Sequence, residues 1–375
     1  EALCAAHPQL SDELRRQLVE LLDSARTLGR GEGSVGERLG ASLGGQVEPG
    51  VDLPPGSDES APSWPTLHER LVAEGPRGSR YEVRGQIARG GMGLVLEVWD
   101  RDLRRSLAMK VVGGTPSSPG PRLDLRTVTR FLEEAQITGQ LQHPGIVPVH
   151  ELGVGDDERA YFTMPLVRGR ELKELLPLAR EEREGWSLRR ALGVLVKVCE
   201  AVGFAHSKGV LHRDLKPSNV MVGRFGETYV MDWGLARVMG RQDTHDIRLR
   251  RAGEESTLVS VDREGTPGTH ASPLLTMDGD VVGTPAYMPP EQARGRIEEL
   301  GPHSDVYSIG AMLYHLLTGQ MPYVPPGTRA SPQAVLARVL EGPPVDVVEL
   351  EPDAPLELAE ICARAMAREG SERYG

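Results

Sequence analysis

The 375-residue chain has little cysteine and few aromatic rings: three cysteines, with Phe, Trp and Tyr together at 4%. Cys4, Cys199 and Cys362 lie far apart and form no CxxC pair, which argues against a zinc site or a disulfide framework. Cys199 and Cys362 fall in apolar helical patterns and read as buried thiols, and a reducing, cytoplasmic compartment is the expectation. Leu, Val, Ala and Met must fill the core. No apolar run approaches the roughly 18 residues that cross a bilayer, and no signal-type apolar region opens the chain, so no membrane segment is expected within it. There is also no run rich in Lys and Arg, and the formal charge is −11, so neither nucleic acid nor an anionic membrane is the expected partner. What remains is ordinary for a globular protein: 39% hydrophobic and 26% charged residues, enough chain for about two domains. The first residue is not Met, and Gly375 follows directly on a patterned segment, which reads as a piece of a longer protein.

Residues 1–28 contain one amphipathic stretch, with Leu14, Leu18, Leu21, Leu22, Ala25 and Leu28 on one face and Ser11 as a plausible N-cap. It reads as an accessory helix. Residues 29–63 turn rich in Gly, Pro and Ser without a lasting period and read as a flexible linker. Residues 64–80 read as a short helix and lead-in, opened by a capping-box spacing at Thr66 and Glu69. From Tyr81 the pattern becomes strand-like, broken by glycines, with a helix expected over 127–142 and further strands over 143–153 and 160–167. Past Leu172 it becomes mainly helical, with helices expected from Ser187 to about Lys208, His303 to Leu317, Pro332 to Leu340, and Leu356 to about Arg368. A strand-rich part followed by a helix-rich part predicts an α+β protein of two lobes with a cleft between them.

Several short motifs carry chemistry. Ile87-Ala88-Arg89-Gly90-Gly91-Met92-Gly93-Leu94-Val95 is a glycine-rich turn between two strand-like runs, where the backbone can approach phosphate oxygens without a Cβ in the way. A tight hairpin turn would use the same letters. Lys110 sits in the apolar run SLAMKVV, where an amine is costly unless an anion meets it, although the side chain could also snorkel to solvent. In RFLEEAQITGQL, Glu133 and Glu134 point about 100° apart on a helix; Glu134 is assigned inward and Glu133 to solvent. The segment Leu211-His212-Arg213-Asp214-Leu215-Lys216-Pro217-Ser218-Asn219 is the most specific. Asp214 can accept a hydroxyl proton, Lys216 can neutralise a phosphoryl group, and Asn219 can reach a metal ion. Asp232, thirteen residues after Asn219, ends a strand-like run and suits Mg²⁺.

With GGMG, AMK, HRDLKPSN, DWG, GTPAYMPPE and SDVYSIG in that order, residues 81–375 resemble the bacterial branch of the eukaryotic-type (Hanks-type) Ser/Thr protein kinases. The resemblance implies the bilobal kinase fold. That fold has a small β-rich lobe with one regulatory helix over 81–166, a larger α-helical lobe over 167–375, and ATP in the cleft. It implies that Lys110 holds the α- and β-phosphates and pairs with Glu134, that Asp214 is the catalytic base, and that Asn219 and Asp232 hold Mg²⁺. Met164 falls at the gatekeeper position, Pro165, Leu166 and Val167 at the hinge facing adenine, and Ala108 and Met221 on either side of the base. Thr284 would line the peptide site and contact Asp214 and Lys216. Asp305 would brace the catalytic loop, with His212 and Arg213 supporting it. Glu291 and Arg373 would form a buried structural ion pair. The implied activity is transfer of the γ-phosphoryl group of ATP, with Mg²⁺, to Ser and Thr hydroxyls of protein substrates, with self-association allowing autophosphorylation.

Three departures from the family pattern stand out: Ala88 for the first glycine of the loop, Trp233 for the usual Phe after the metal-binding Asp, expected to pack beneath the regulatory helix, and Pro289 for Ala before Glu291. None removes a group that does chemistry. The activation segment, 232–291, is long, and its middle, about 240–279, reads as an insertion. Thr244, Ser256, Thr257, Ser260, Thr266, Thr269, Ser272 and Thr276 are candidate phosphosites there, with Arg213 as the group that would receive a phosphate. Two rival readings are a nucleotide-binding pseudokinase scaffold, which predicts loss of Lys110, Asp214, Asn219 or Asp232, and a small-molecule phosphotransferase, which needs no GTPAYMPPE run. His143 and His150 read as ordinary loop and strand histidines, and Trp99, Trp186 and Met239 as packing residues.

Overall fold

The computed structural model describes residues 80–90, 93–113, 125–155, 159–239, 285–325, 327 and 330–375. The accessory helix, linker and lead-in up to residue 79, Cys4, the turn residues Gly91 and Met92, the insertion with its candidate phosphosites, and Thr284 lie outside them. The chain divides into two compact units, residues 1–242 with 374–375, and residues 243–373.

The first unit opens with a five-stranded antiparallel sheet in the order β1-β2-β3-β5-β4. Its strands are β1 (Tyr81–Gly90), β2 (Gly93–Asp100), β3 (Arg105–Val112), β4 (Glu151–Val154) and β5 (Ala160–Pro165). The glycine-rich turn joins β1 to β2, with Gly90 opposite Gly93. A side chain at Gly93 would run into the carbonyl oxygen of Val111 on β3, so glycine is required there by close backbone approach. Alternation along β3 sends Val112 to the face covered by helix α1 (Leu125–Gln140), and Leu107 and Met109 to the opposite face. Helix α1 answers with Val128, Phe131, Leu132 and Ala135 at helical spacing, and they close a core with Val112, Ala160 and Phe162. Lys110, two residues before Val112, shares the α1 face.

Arg80 ties the start of β1 to this sheet. Its guanidinium donates to both carboxylate oxygens of Asp100, at 3.0 and 2.8 Å, and to Glu151 at 3.2 Å. The hydrogen bond from Arg80, opposed by burial and helped by the amides of Leu103 and Asp102, holds Asp100 below its ordinary carboxyl value. A carboxyl depressed in the folded state stabilises above its unfolded value and loses that contribution as pH falls through the folded value. Asp100→Asn is therefore expected to lower stability by about 1–3 kcal/mol at neutral pH, since it weakens charged hydrogen bonds at a fully buried side chain. The gap to wild type should shrink on acidification, which urea unfolding at two pH values measures.

The first unit continues with a small sheet of β6 (Gly169–Glu171), β8 (Val220–Gly223) and β9 (Thr228–Val230), and with β7 (Val210–Leu211) paired to β10 (Arg237–Val238). Helix α2 (Leu172–Arg180) follows β6, and α3 (Leu188–Ser207) is capped by Ser187, whose hydroxyl accepts the Arg190 amide. Helix α3 buries Ala191, Leu195, Val198, Val202 and Ala205. Cys199, expected to be buried, is exposed, because it lies about 100° round the helix from Val198. Met239, read as a packing residue, is also exposed. Trp186 is buried and Trp99 half-buried, with Arg190 and Arg84 respectively over their rings.

Residues 143–150 do not form the expected strand. Ile146 makes one parallel bridge to Val230, and the Gly145 carbonyl accepts the Val230 amide, but no second strand continues the pairing. His143 stacks on Phe204 and accepts the Gly145 amide, as a loop histidine would.

The second unit is helical: α4 (Pro290–Ala293), α5 (Pro302–Thr318), α6 (Pro332–Glu341), α7 (Val347–Leu350) and α8 (Leu356–Ala365). Helix α5 is its centre, with most of its side chains buried, and it ends on Gly319 in the left-handed conformation. Cys362 is buried on α8, as expected, and burial pushes its thiol up to about 12. Helix α8 ends three residues before the expected Arg368. Among the described residues, no helix is long and apolar enough to cross a membrane.

Candidate active site

Strand β3 carries Lys110 opposite Val95 of β2 and Phe162 of β5. From α1, Glu134 reaches the same amine, with Nζ 2.6 Å from Oε1 and 2.7 Å from Oε2. Glu134 is the buried member of its pair, 5% exposed, and Glu133 is half-buried rather than solvated. Asp232 Oδ1 lies 3.8 Å from the same Nζ. Burial opposes the ammonium of Lys110, but the Glu134 and Asp232 carboxylates more than offset it and hold the amine protonated, above its ordinary value. Burial is also the largest influence on Glu134 and raises its carboxyl, against the pull of Lys110; the two short contacts mark the pair as ionic.

The loop after β7 supplies the second cluster. Lys216 Nζ donates to Asp214 Oδ2 at 2.7 Å, and Asn219 Nδ2 donates to the Asp214 carbonyl at 2.8 Å and to Oδ2 at 3.3 Å. Two backbone links join this loop to the strand end that carries Asp232. The Met231 amide donates to the Asn219 carbonyl at 2.7 Å, and His212 Nε2 lies 3.0 Å from the Met231 carbonyl. His212 Nδ1 accepts the Asp214 amide at 3.3 Å, so one imidazole spans this loop and the neighbour of Asp232. Trp233, 3% exposed, packs on that imidazole with ring centroids 4.6 Å apart, and its indole donates to the Val230 carbonyl. Its aromatic ring contact is with His212.

Arg213 and Asp232 both have left-handed backbone conformations, φ 69° and 59°, which side-chain-bearing residues rarely adopt. Each directly follows an end of the His212–Met231 link, which indicates a backbone held in place by its surroundings. Arg213 is buried.

The other sequence-assigned positions fall as follows. Ala108 lies opposite Met164 across β3 and β5; Ala108 is buried, while Met164, Leu166 and Met221 are half-buried. On the glycine-rich strands, Ile87, Ala88 and Arg89 are exposed, Leu94 is buried and Val95 half-buried. In the second unit, Asp305 is buried in the first turn of α5. Arg373 meets Glu291 with two 2.8 Å hydrogen bonds, and Ser304 donates a third to the same carboxylate. The role of Ser304, the Asp232 contact to Lys110 and the Met231 link carry no local sequence signal and were not anticipated.

A cation site can be tested on the donor chemistry. Asn219 commits its amide nitrogen to Asp214, which leaves the oxygen for a cation, and the Asp232 carboxylate is 54% exposed. Among the described residues, no group of three His, Cys, Asp or Glu side chains could hold a metal alone. Two hard oxygen donors fit a magnesium-type ion that completes its shell with phosphate oxygens and water.

A buried amine within reach of two carboxylates, and a loop whose carboxylate, amine and amide meet in hydrogen bonds, are the arrangement that the resemblance to the protein kinases implied. The family model described as the protein kinase domain matches residues 81–341, and the chain belongs to that family. It is 36% identical over 302 residues to the serine/threonine-protein kinase PknD of Chlamydia trachomatis (serovar D), covering 79% of this chain and 30% of that protein. PknD of Chlamydia muridarum is 36% identical over 304 residues, again 79% of this chain and 30% of the relative. PknD of Protochlamydia amoebophila is 36% identical over 255 residues, 65% of this chain and 23% of the relative. The chain thus spans less than a third of the length of these curated relatives. Membership of the family implies ATP as the phosphoryl donor and, generally, a divalent metal.

Proposed function

We propose that this chain is a Ser/Thr protein kinase that transfers the γ-phosphoryl group of ATP to protein hydroxyls, and that it phosphorylates hydroxyls of its own activation segment. The observation that carries this reading is the connected set of contacts from Glu134 through Lys110 to Asp232, and from Met231 through Asn219 to Asp214. The four residues whose loss would mark a nucleotide-binding scaffold, Lys110, Asp214, Asn219 and Asp232, are all present.

In this reading Lys110 fixes the α- and β-phosphates and is itself fixed by Glu134, so the phosphates meet an amine already held in position. Asp214 accepts the proton of the incoming Ser or Thr hydroxyl, oriented by Lys216 and Asn219. Lys216 also offsets charge on the transferring phosphoryl group. Asn219 and Asp232 would hold Mg²⁺, which supplies charge neutralisation at the phosphates. The residues from Ile87 to Val95 would cover the phosphates, and Ala108, Met164, Leu166 and Met221 would surround adenine. The domain plan, with an accessory helix and linker ahead of residue 81, belongs to this proposal.

Lys110→Met is expected to lower kcat/KM for protein phosphorylation by about 10²-fold or more, the cost of removing one preorganised charge at a reacting group. Label transfer from γ-labelled ATP to dephosphorylated casein measures it. Nucleotide-dependent thermal stabilisation of the wild-type protein without any transfer would instead favour the scaffold reading.

A further inference from the structure

We infer that His315 is a positioning residue for the peptide-binding segment, acting through the hydroxyl of Tyr287. The inference rests on the protein-phosphorylation reading above, which assigns the GTPAYM run to the protein substrate. Residues Pro285–Tyr287 form one short 3₁₀ turn, closed by a single backbone hydrogen bond from the Met288 amide to the Pro285 carbonyl. One such turn cannot hold itself in water, so its geometry must come from outside.

Helix α5 supplies it at two points. Ser308 Oγ donates to the Tyr287 carbonyl at 2.9 Å and fixes the backbone. His315 Nδ1 lies 2.7 Å from the Tyr287 hydroxyl and fixes the far end of the side chain. Ser308 and His315 are seven residues apart, about two turns on one face of a helix. The tyrosine is thus held along its whole length by a single buried helix. Ala286, Tyr287 and Met288 are all buried, at 1%, 5% and 6% exposed, so the segment packs as a rigid ledge. His315 is half-buried in the stretch Leu313–Leu317, whose other side chains are buried. An apolar residue there would leave the buried phenol without this partner.

The test measures steady-state phosphorylation of dephosphorylated casein, varying casein and ATP separately, for the wild type, H315A, H315N, Y287F and the H315A/Y287F double variant. H315A and Y287F should each raise KM for casein about fivefold, the effect of one hydrogen bond. For H315A the KM for ATP should not change. H315N, which can still meet the hydroxyl, should restore the wild-type KM. The double variant should be no worse than either single one, because both remove the same contact. The proposal is overturned if H315A leaves KM for casein unchanged, if both KM values rise together, or if the single effects multiply to about 25-fold. Should the wild type phosphorylate nothing, the kinase reading fails by itself, and amide exchange at residues 286–288 then decides the positioning role. Faster exchange in H315A and Y287F but not in H315N upholds it; equal exchange in all of them refutes it. If H315A does not fold, H315N and Y287F give the same comparison.

Discussion

Asp214→Asn is expected to lower kcat for protein phosphorylation by about 10³-fold, within the range contributed by a positioned general base. The amide matches the carboxylate in shape and can still meet Lys216 and Asn219, which lie 2.7 and 3.3 Å from Oδ2. It cannot take the proton of an attacking hydroxyl. Because the contacts among Lys110, Glu134 and Asp232 do not use the Asp214 side chain, ATP affinity should be kept within about twofold. The variant should therefore bind nucleotide, show an unchanged melting temperature and fail to turn over. Calorimetric ATP binding beside a steady-state assay separates these quantities; an equal loss of binding and turnover would place Asp214 in nucleotide capture instead.

Arg373→Met is expected to destabilise the second unit by about 3–5 kcal/mol, the cost of stranding one partner of a buried ion pair. The guanidinium is fully buried and Glu291 nearly so. Besides its two bonds to Glu291, it donates to the carbonyls of His303, Ala367 and Arg368, and it lies over the Tyr307 ring. Burial alone would raise the Glu291 carboxyl, but the hydrogen bond and charge of Arg373 more than offset it, and the folded value falls below the ordinary one. The pair therefore stabilises above the ordinary carboxylate range, and its contribution fades as pH falls through the depressed folded value. In Arg373→Met the lone carboxylate is relieved by protonation, so the two proteins should converge in stability on acidification. Replacing both partners by Leu and Met should recover much of the loss, since no charge is then left buried. Urea unfolding of the three proteins at neutral and acidic pH checks both statements.

Much of this architecture was legible in the sequence where a period or a fixed spacing enforced it. The alternation of β3 set Lys110 on the same face as Val112, and the helical spacing of Phe131, Leu132 and Ala135 turned Glu134 towards it. The run from His212 to Asn219 declared its own geometry, because its residues bond to each other. Where the sequence misled, tertiary partners decided. Ile146 and Val147 are as apolar as strand residues, but they are buried in a loop that makes a single β-bridge, from Ile146 to Val230. Helix α8 stops at Ala365, and the carbonyls of Ala367 and Arg368 are taken by Arg373. Contacts such as Tyr287 with His315, or Ser304 with Glu291, join residues far apart in sequence and of unremarkable type, so no local pattern announces them.

The central claim is that these side chains move a phosphoryl group from ATP to protein hydroxyls. Its most direct test is to incubate the purified wild type and Asp214→Asn with ATP and Mg²⁺ and map phosphorylated residues by mass spectrometry. The account predicts phosphoserine and phosphothreonine in the wild type, within residues 240–284, and none in the variant. Equal phosphorylation of both proteins, or none in either under conditions where ATP binds, would contradict it.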